Sequence, residues 1–279
     1  MELKNILLIT GKDMRESIKN RWFVLYTASF SVLAILILTA ASGGGQISGF
    51  SGYGRTAASL INLVLLFVPL IALVTGAISI SGERENGTLQ YLLSQPVTKS
   101  EVFIGKFVGV LIPIWFSISL GFGLAGIGVA LKGGGGGITD YVLTALMSGL
   151  LAASLLSVGF VVSVFSGKAS KAIGIAVFLW LLFIILGDLG IMGTAAVMDL
   201  GIKQVFVLAV LNPAEVFKIA SVLLLSPRYE ILGPVGVYAV RTFGSGGIVL
   251  LLVSILSLWT IVPLALAHLT FSVFRREEL

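Results

Sequence analysis

Residues 81–106, SGERENGTLQYLLSQPVTKSEVFIGK, place six charged side chains between two of the most apolar runs of the chain: Glu83, Arg84, Glu85, Lys99, Glu101 and Lys106. The chemistry they offer is recognition of another surface. Leu89, Leu92 and Leu93 fall at i, i+3 and i+4, which puts them on one face of a short helix. Asn86-Gly87 supplies the turn that starts this helix, and Gly82 is expected to break the preceding one before Glu83. Pro96 ends it, because the residue before a proline is pushed out of the helical region. Thr98-Lys99-Ser100-Glu101 then has the form of a capping box, a hydroxyl followed three residues on by a carboxylate, so a new helix starts at Lys99. Ordinary helix–helix links take about 2–8 residues and need none of this. Two uses remain open. The leucine face lies on lipid headgroups with the charges in water, or it fills a groove on a cytoplasmic partner while Glu83, Glu85 and Lys99 set the orientation.

Other chemistry is sparse. The chain has no Cys and one His, and Met147, Met192 and Met198 are not clustered, so no soft-ligand or metal site is expected in it. His268 reads as an interfacial or packed residue. The Gly-Lys pair of SGKASK (166–171) lacks a P-loop frame: Val162 stands where the first Gly is required, and Ala169 follows Lys168. There is no HExxH, no intramembrane Asp pair and no Ser/His pair in a polar setting, which argues against an intramembrane enzyme. Asp188 is the one acid inside an apolar run, where a charge is costly. It fits either a structural, interfacial role or a gating or partner contact.

These residues must be held by membrane helices. The chain is 57% hydrophobic over 279 residues with a mean hydropathy of +1.08, and several runs of about twenty residues carry no charge. The expected fold is a single all-α, polytopic membrane domain over 1–279. Its spans fall near 22–41, 57–80, 102–131, 139–165, 172–197 and 246–271. The first is read as retained, not as a cleaved signal. With the N-terminus inside, twelve Lys and Arg fall on the inner side and six on the outer, which places both termini in the cytoplasm. The net charge of +5 is scattered over the ends of apolar runs and suggests membrane orientation, not nucleic acid.

Residues 3–20 set Ile6, Leu7, Met14 and Ile18 among Lys4, Lys12, Arg15 and Lys19, the pattern of an amphipathic helix on the membrane surface. Residues 42–56 and 132–138 are Gly-rich outer connectors. The outer segment 198–245 opens a capped helix with Asn212 at N-cap, Pro213 at N1 and Glu215 at N3. Val216, Ile219, Ala220, Leu223 and Leu224 then form an apolar stripe, so the segment should lie on the outer interface or dip into it.

The run Glu83-x-Glu85-x-Gly87-Thr88-Leu89-x-x-Leu92-Leu93-Ser94-x-Pro96-Val97, with Gly105-Lys106 after it, resembles the signature of ABC-2 type transporter permeases. Six spans, an N-terminal amphipathic elbow and a long outer segment extend that resemblance over the chain. It implies that residues 81–101 form a cytoplasmic coupling element seated in a separate ATPase subunit. Glu83, Glu85, Gly87, Thr88, Leu89, Leu92, Leu93, Pro96 and Lys99 would be the coupling residues. It also implies a homodimer, with ATP and Mg held by the partner ATPase and no cofactor in this chain. LNPAEVFK (211–218) and the outer region around it are similar, more narrowly, to the permease subgroup that serves maturation of the copper enzyme nitrous-oxide reductase. There the outer face meets a secreted β-helical partner, and Asp188, Asn212, Pro213 and Glu215 would be its contact or gating candidates. The competing expectations are an exporter subunit for an unrelated lipid or drug, and a secondary transporter or channel. The last predicts paired intramembrane ions, of which the spans offer none beyond Asp188.

Overall fold

The computed structural model describes residues 2–43, 53–131, 138–185, 187, 201–225 and 233–273, and every element among them is a helix. In chain order they are α1 (Leu3–Lys19), α2 (Arg21–Gly43), α3 (Tyr53–Glu85), α4 (Thr88–Ser94), α5 (Lys99–Leu131), α6 (Ile138–Phe165), α7 (Ala169–Ile185), α8 (Ile202–Val210), α9 (Pro213–Leu225), α10 (Gly233–Phe243) and α11 (Ser245–Val273). Four helices are long and apolar enough to cross a bilayer: Ser59–Glu85, Lys99–Gly128, Ile138–Phe165 and Gly246–Val273. Two bent pairs, α1 with α2 and α8 with α9, bring the candidates up to six, and Ala169–Ile185 is a shorter apolar helix. The chain is a multi-pass membrane protein, and its described elements are all helices.

Helix α6 is the centre of the bundle: 72% of its most apolar window is buried, against 17% for α11. It packs on α3, with Gly76 and Gly159 letting the two backbones meet; a Cβ at Gly159 would stand 2.7 Å from the Leu73 carbonyl oxygen. The buried hydroxyls of Ser148, Ser154 and Ser157 are satisfied within α6, as where Ser157 Oγ donates to the Ala153 carbonyl at 2.8 Å. Ser163 Oγ accepts from both Ile80 N and Ser81 N at 2.9 Å, tying α6 to the C-terminal end of α3.

One expectation changes. Helix α3 does not break at Gly82 but continues to Glu85. Of the two placements expected for the segment holding α9, burial in the bundle is at odds with lying on a surface and compatible with dipping in: Val216, Phe217, Ile219 and Ala220 are buried, and α9 packs on α6, α11 and α3 after a 110° bend from α8. An apolar stripe at helical spacing buries equally well in a bundle or in lipid, and periodicity alone does not choose. Asp188 and the second half of the fifth expected span lie outside the described residues.

Candidate coupling site

The candidate coupling region is built from the C-terminal end of α3 and the N-terminal end of α5 with α4 between them. At Gly87 the backbone turns at φ +71°, a left-handed conformation that suits glycine, and α4 starts directly after it. Gln95 is extended at φ −73°, ψ 161°, so α4 stops as the proline requires. The capping box forms: Glu101 N donates to Thr98 Oγ1 at 3.3 Å, and Thr98 N donates to Glu101 Oε2 at 3.0 Å. Glu101 also accepts from Glu2 N at 2.5 Å and Asn5 Nδ2 at 3.2 Å, so one carboxylate caps α5 and holds the start of α1 against it.

The three residues that close α3 each serve a different neighbour. Glu83 Oε1 accepts from Lys12 Nζ of α1 at 2.8 Å and pairs with Lys106 Nζ of α5 at 2.9 Å. Arg84 Nη1 donates to the Val164 and Ser166 carbonyls at 3.1 and 3.2 Å, satisfying the C-terminal end of α6. Glu85 Oε2 accepts from Ala169 N at 2.8 Å and caps α7, where a negative charge is favourable. The charge density of this stretch therefore joins five helices of the same chain. Lys99 follows the pattern, donating to the Ser272 carbonyl of α11 at 3.0 Å, and Ser100 Oγ lies 2.9 Å from His268 Nε2.

Lys106 is 2% exposed and also pairs with Asp13 Oδ2 of α1 at 3.1 Å. Its chain neighbours explain how α1 comes so close. A Cβ at Gly105 would stand 2.9 Å from Ile9 Cβ, and one at Gly109 would stand 2.8 Å from Asp13 Cβ, so the two glycines form the notch into which α1 presses. Asp13, Glu16 and Glu83 bring carboxylate oxygens within 4.8 Å of one another, an arrangement able to hold a cation. Here the Lys12 and Lys106 ammonium groups supply that charge. Asp13 Oδ1 and Glu83 Oε2 are buried with no hydrogen-bond partner among the described residues, and both side chains line an open cavity of about 640 Å³, roomy enough for water.

The leucines of α4 point differently from the expected docking face. Leu89 is fully buried and Leu93 is 4% exposed, both in the main core, and Leu92 packs against that core. The face turned outward carries Thr88, Gln90, Tyr91, Ser94, Gln95 and Pro96, with Tyr91 73% exposed. A leucine triad at i, i+3, i+4 marks a buried face without saying which molecule buries it. Asp13, Lys12 and the role of Lys106 escaped the sequence reading. The available signal was Gly105-x-x-x-Gly109 beside a lysine, the small-residue spacing of a close helix contact.

At the far end, Asn212 Oδ1 accepts from Ala214 N at 2.9 Å as the expected N-cap of α9, while Asn212 Nδ2 donates to the Phe183 carbonyl of α7 at 2.6 Å. Pro213 is the first residue of α9, and Glu215 pairs with Lys218 at 3.7 Å. A Cβ at Gly187 would stand 2.7 Å from Asn212 Nδ2, so the end of α7 and the start of α9 are in close contact.

A family model described as ABC-2 family transporter protein matches residues 7–279. The chain is 31% identical over 220 residues to the probable ABC transporter permease protein NosY of Stutzerimonas stutzeri, covering 76% of this chain and 79% of that one. It is 28% identical over 226 residues to the probable ABC transporter permease protein NosY of Pseudomonas aeruginosa, covering 76% and 80%. A shorter match, 30% over 121 residues, reaches the probable multidrug ABC transporter permease YbhR of Escherichia coli and covers 42% of this chain and 31% of that one. Membership implies a membrane subunit that works with an ATPase subunit. The match from Leu7 to the last residue, together with an all-helical multi-pass fold, places the chain in the ABC-2 family of transporter permeases.

Proposed function

We propose that this chain is the transmembrane subunit of an ABC transporter in which residues 81–101 receive a separate cytoplasmic ATPase and pass its motion to the membrane helices. The observation that carries this reading is the junction at Glu83. Helix α4 is seated by its leucines in the core, and Glu83, five positions before its first residue, is ion-paired to both α1 and α5. A push on the exposed face of α4 is thereby delivered to α1, α3 and α5 together. Tyr91 is the anchor of that face, since a large exposed aromatic suits an interface hot spot. Six spans, α2, α3, α5, α6, α7 and α11, enclose the bundle; both termini are cytoplasmic, and two copies pair. ATP and Mg bind in the ATPase.

The likeness to the two NosY permeases over three quarters of their length supports service to copper-enzyme maturation through an outer partner. The chain has no Cys, so soft metal ligands would come from partner proteins. Export of a small substrate is the second reading, favoured by the partial match to a probable multidrug permease. The test is co-purification with the co-expressed ATPase. Tyr91→Ala is expected to lose the ATPase at unchanged stability, and full retention of the ATPase sinks the docking reading.

A further inference from the structure

Helix α1 buries Ile9, Thr10 and Asp13 on one side, and Leu3, Leu7 and Ile18 on the other are 73%, 62% and 53% exposed. These three recur at i, i+4 and i+15, which on a helix of 3.6 residues per turn stacks them in one strip. Displaced by one residue, Lys4, Leu8, Arg15 and Lys19 stack at i, i+4, i+11 and i+15 in an adjacent strip, and all four are exposed. Lys4, Arg15 and Lys19 form no ion pair among the described residues, whereas Lys12, on their flank, is committed to Glu83.

The exposed apolar strip does not end with α1. Asn20 stops the helix, accepts from Trp22 N at 2.9 Å and starts α2 after a 69° bend, with Trp22 79% and Leu25 58% exposed beyond it.

We propose that this face of α1 binds anionic phospholipid headgroups, its leucine strip in the acyl region and Lys4, Arg15 and Lys19 on the phosphates. The proposal rests on the reading that α1 lies at the cytoplasmic surface of the membrane. Three features select a lipid surface as the occupant. The apolar strip is continuous with the exposed side of a membrane helix, Trp22 sits at the corner where aromatic residues favour the interface, and the adjoining cations pair with no acid among the described residues. Long basic side chains beside an apolar strip also extend their charged ends to the headgroup level. The outward face of α4, by contrast, is uncharged between Thr88 and Pro96.

Spin-labelled phosphatidylglycerol and phosphatidylcholine in bilayers holding the full chain test this, because electron spin resonance gives the relative association of each headgroup with the protein. Phosphatidylglycerol is expected to be preferred. The preference is expected to fall about fivefold or more in Lys4→Gln/Arg15→Gln/Lys19→Gln, since each cation near an anionic surface contributes on that order. It should also fade at about 1 M salt, where the screening length is about 3 Å. The absence of cysteine permits a second readout: a nitroxide on Leu7→Cys should be reached by oxygen and not by an aqueous nickel chelate. An equal preference in parent and triple variant, or a label open to the aqueous chelate, overturns the proposal. Loss of the ATPase from the triple variant at unchanged lipid preference also overturns it and assigns the face to a protein. Tyr91→Ala separates the two readings, because it should release the ATPase and leave the lipid preference intact.

Discussion

Replacing Lys106 by Met removes an ammonium group and keeps most of the side-chain volume, so it isolates the charge at the junction of α1, α3 and α5. In the parent, Lys12 and Lys106 face Asp13, Glu16 and Glu83. The variant leaves Lys12, whose side chain is 43% exposed, as the one remaining cation for two carboxylates that are 7% and 15% exposed. Lys12 still reaches Glu83 at 2.8 Å, but its distance to Asp13 is 3.9 Å, so Asp13 takes most of the loss. Removing one partner of a buried pair costs about 3–5 kcal/mol; the surviving contact to Glu83 puts the expectation at the lower end, about 3 kcal/mol. That is a change of about 150-fold in the folded-to-unfolded ratio. Titration of the purified chain in mixed micelles with SDS, followed by loss of helical signal, measures it. Adding Asp13→Asn removes the stranded charge and should recover at least about 1 kcal/mol, a coupling in the range found for contacting residues. If Lys106→Met unfolds within about 0.5 kcal/mol of the parent, or if the double variant is no better than the single one, the junction is not held by charge.

Leu89→Ala and Tyr91→Ala, two residues apart on α4, should separate folding from docking. The first is expected to cost about 2–5 kcal/mol in the same titration because Leu89 is fully buried, and the second less than about 0.5 kcal/mol while weakening ATPase co-purification at least about tenfold. Gly109→Ala should destabilise by about 1–3 kcal/mol although alanine is the better helix former, because its Cβ would stand 2.8 Å from Asp13 Cβ and 3.0 Å from the Thr10 carbonyl; a stabilised variant rejects the close approach of α1 to α5. Asn212→Ala loses both the cap on Ala214 and the bond to Phe183 and should cost about 1–2 kcal/mol, whereas Asn212→Asp, which keeps the cap oxygen alone, should recover only part of it. The same unfolding titration checks both variants.

Local rules were sufficient wherever a structure depends on a few consecutive residues. The turn at Asn86-Gly87, the stop at Gln95-Pro96, the capping box from Thr98 to Glu101 and the Asn212 cap all follow from nearest-neighbour sterics and short hydrogen bonds, and each stands where the residue types put it. Apolar runs of about twenty residues likewise dictate membrane helices, since lipid leaves the backbone no other way to satisfy its polar groups. What each helix faces is a different kind of question. Glu83, Glu85 and Lys99 read equally well as charges for a partner, and only the fold brings Lys12, Lys106, the α7 N-terminus and the Ser272 carbonyl to them. The leucines of α4 are a buried face in any reading, but the packing of α3 and α5 decides that this chain buries them and that Tyr91 is left outside. Sequence determined those turns, caps and stops because their energies are local, while α3 ran through Gly82 to Glu85 where packing held it. Tertiary structure decided which charges are neutralised within the chain and which surfaces remain free, because pairs such as Asp13 and Lys106, 93 residues apart, exist only once the helices have packed.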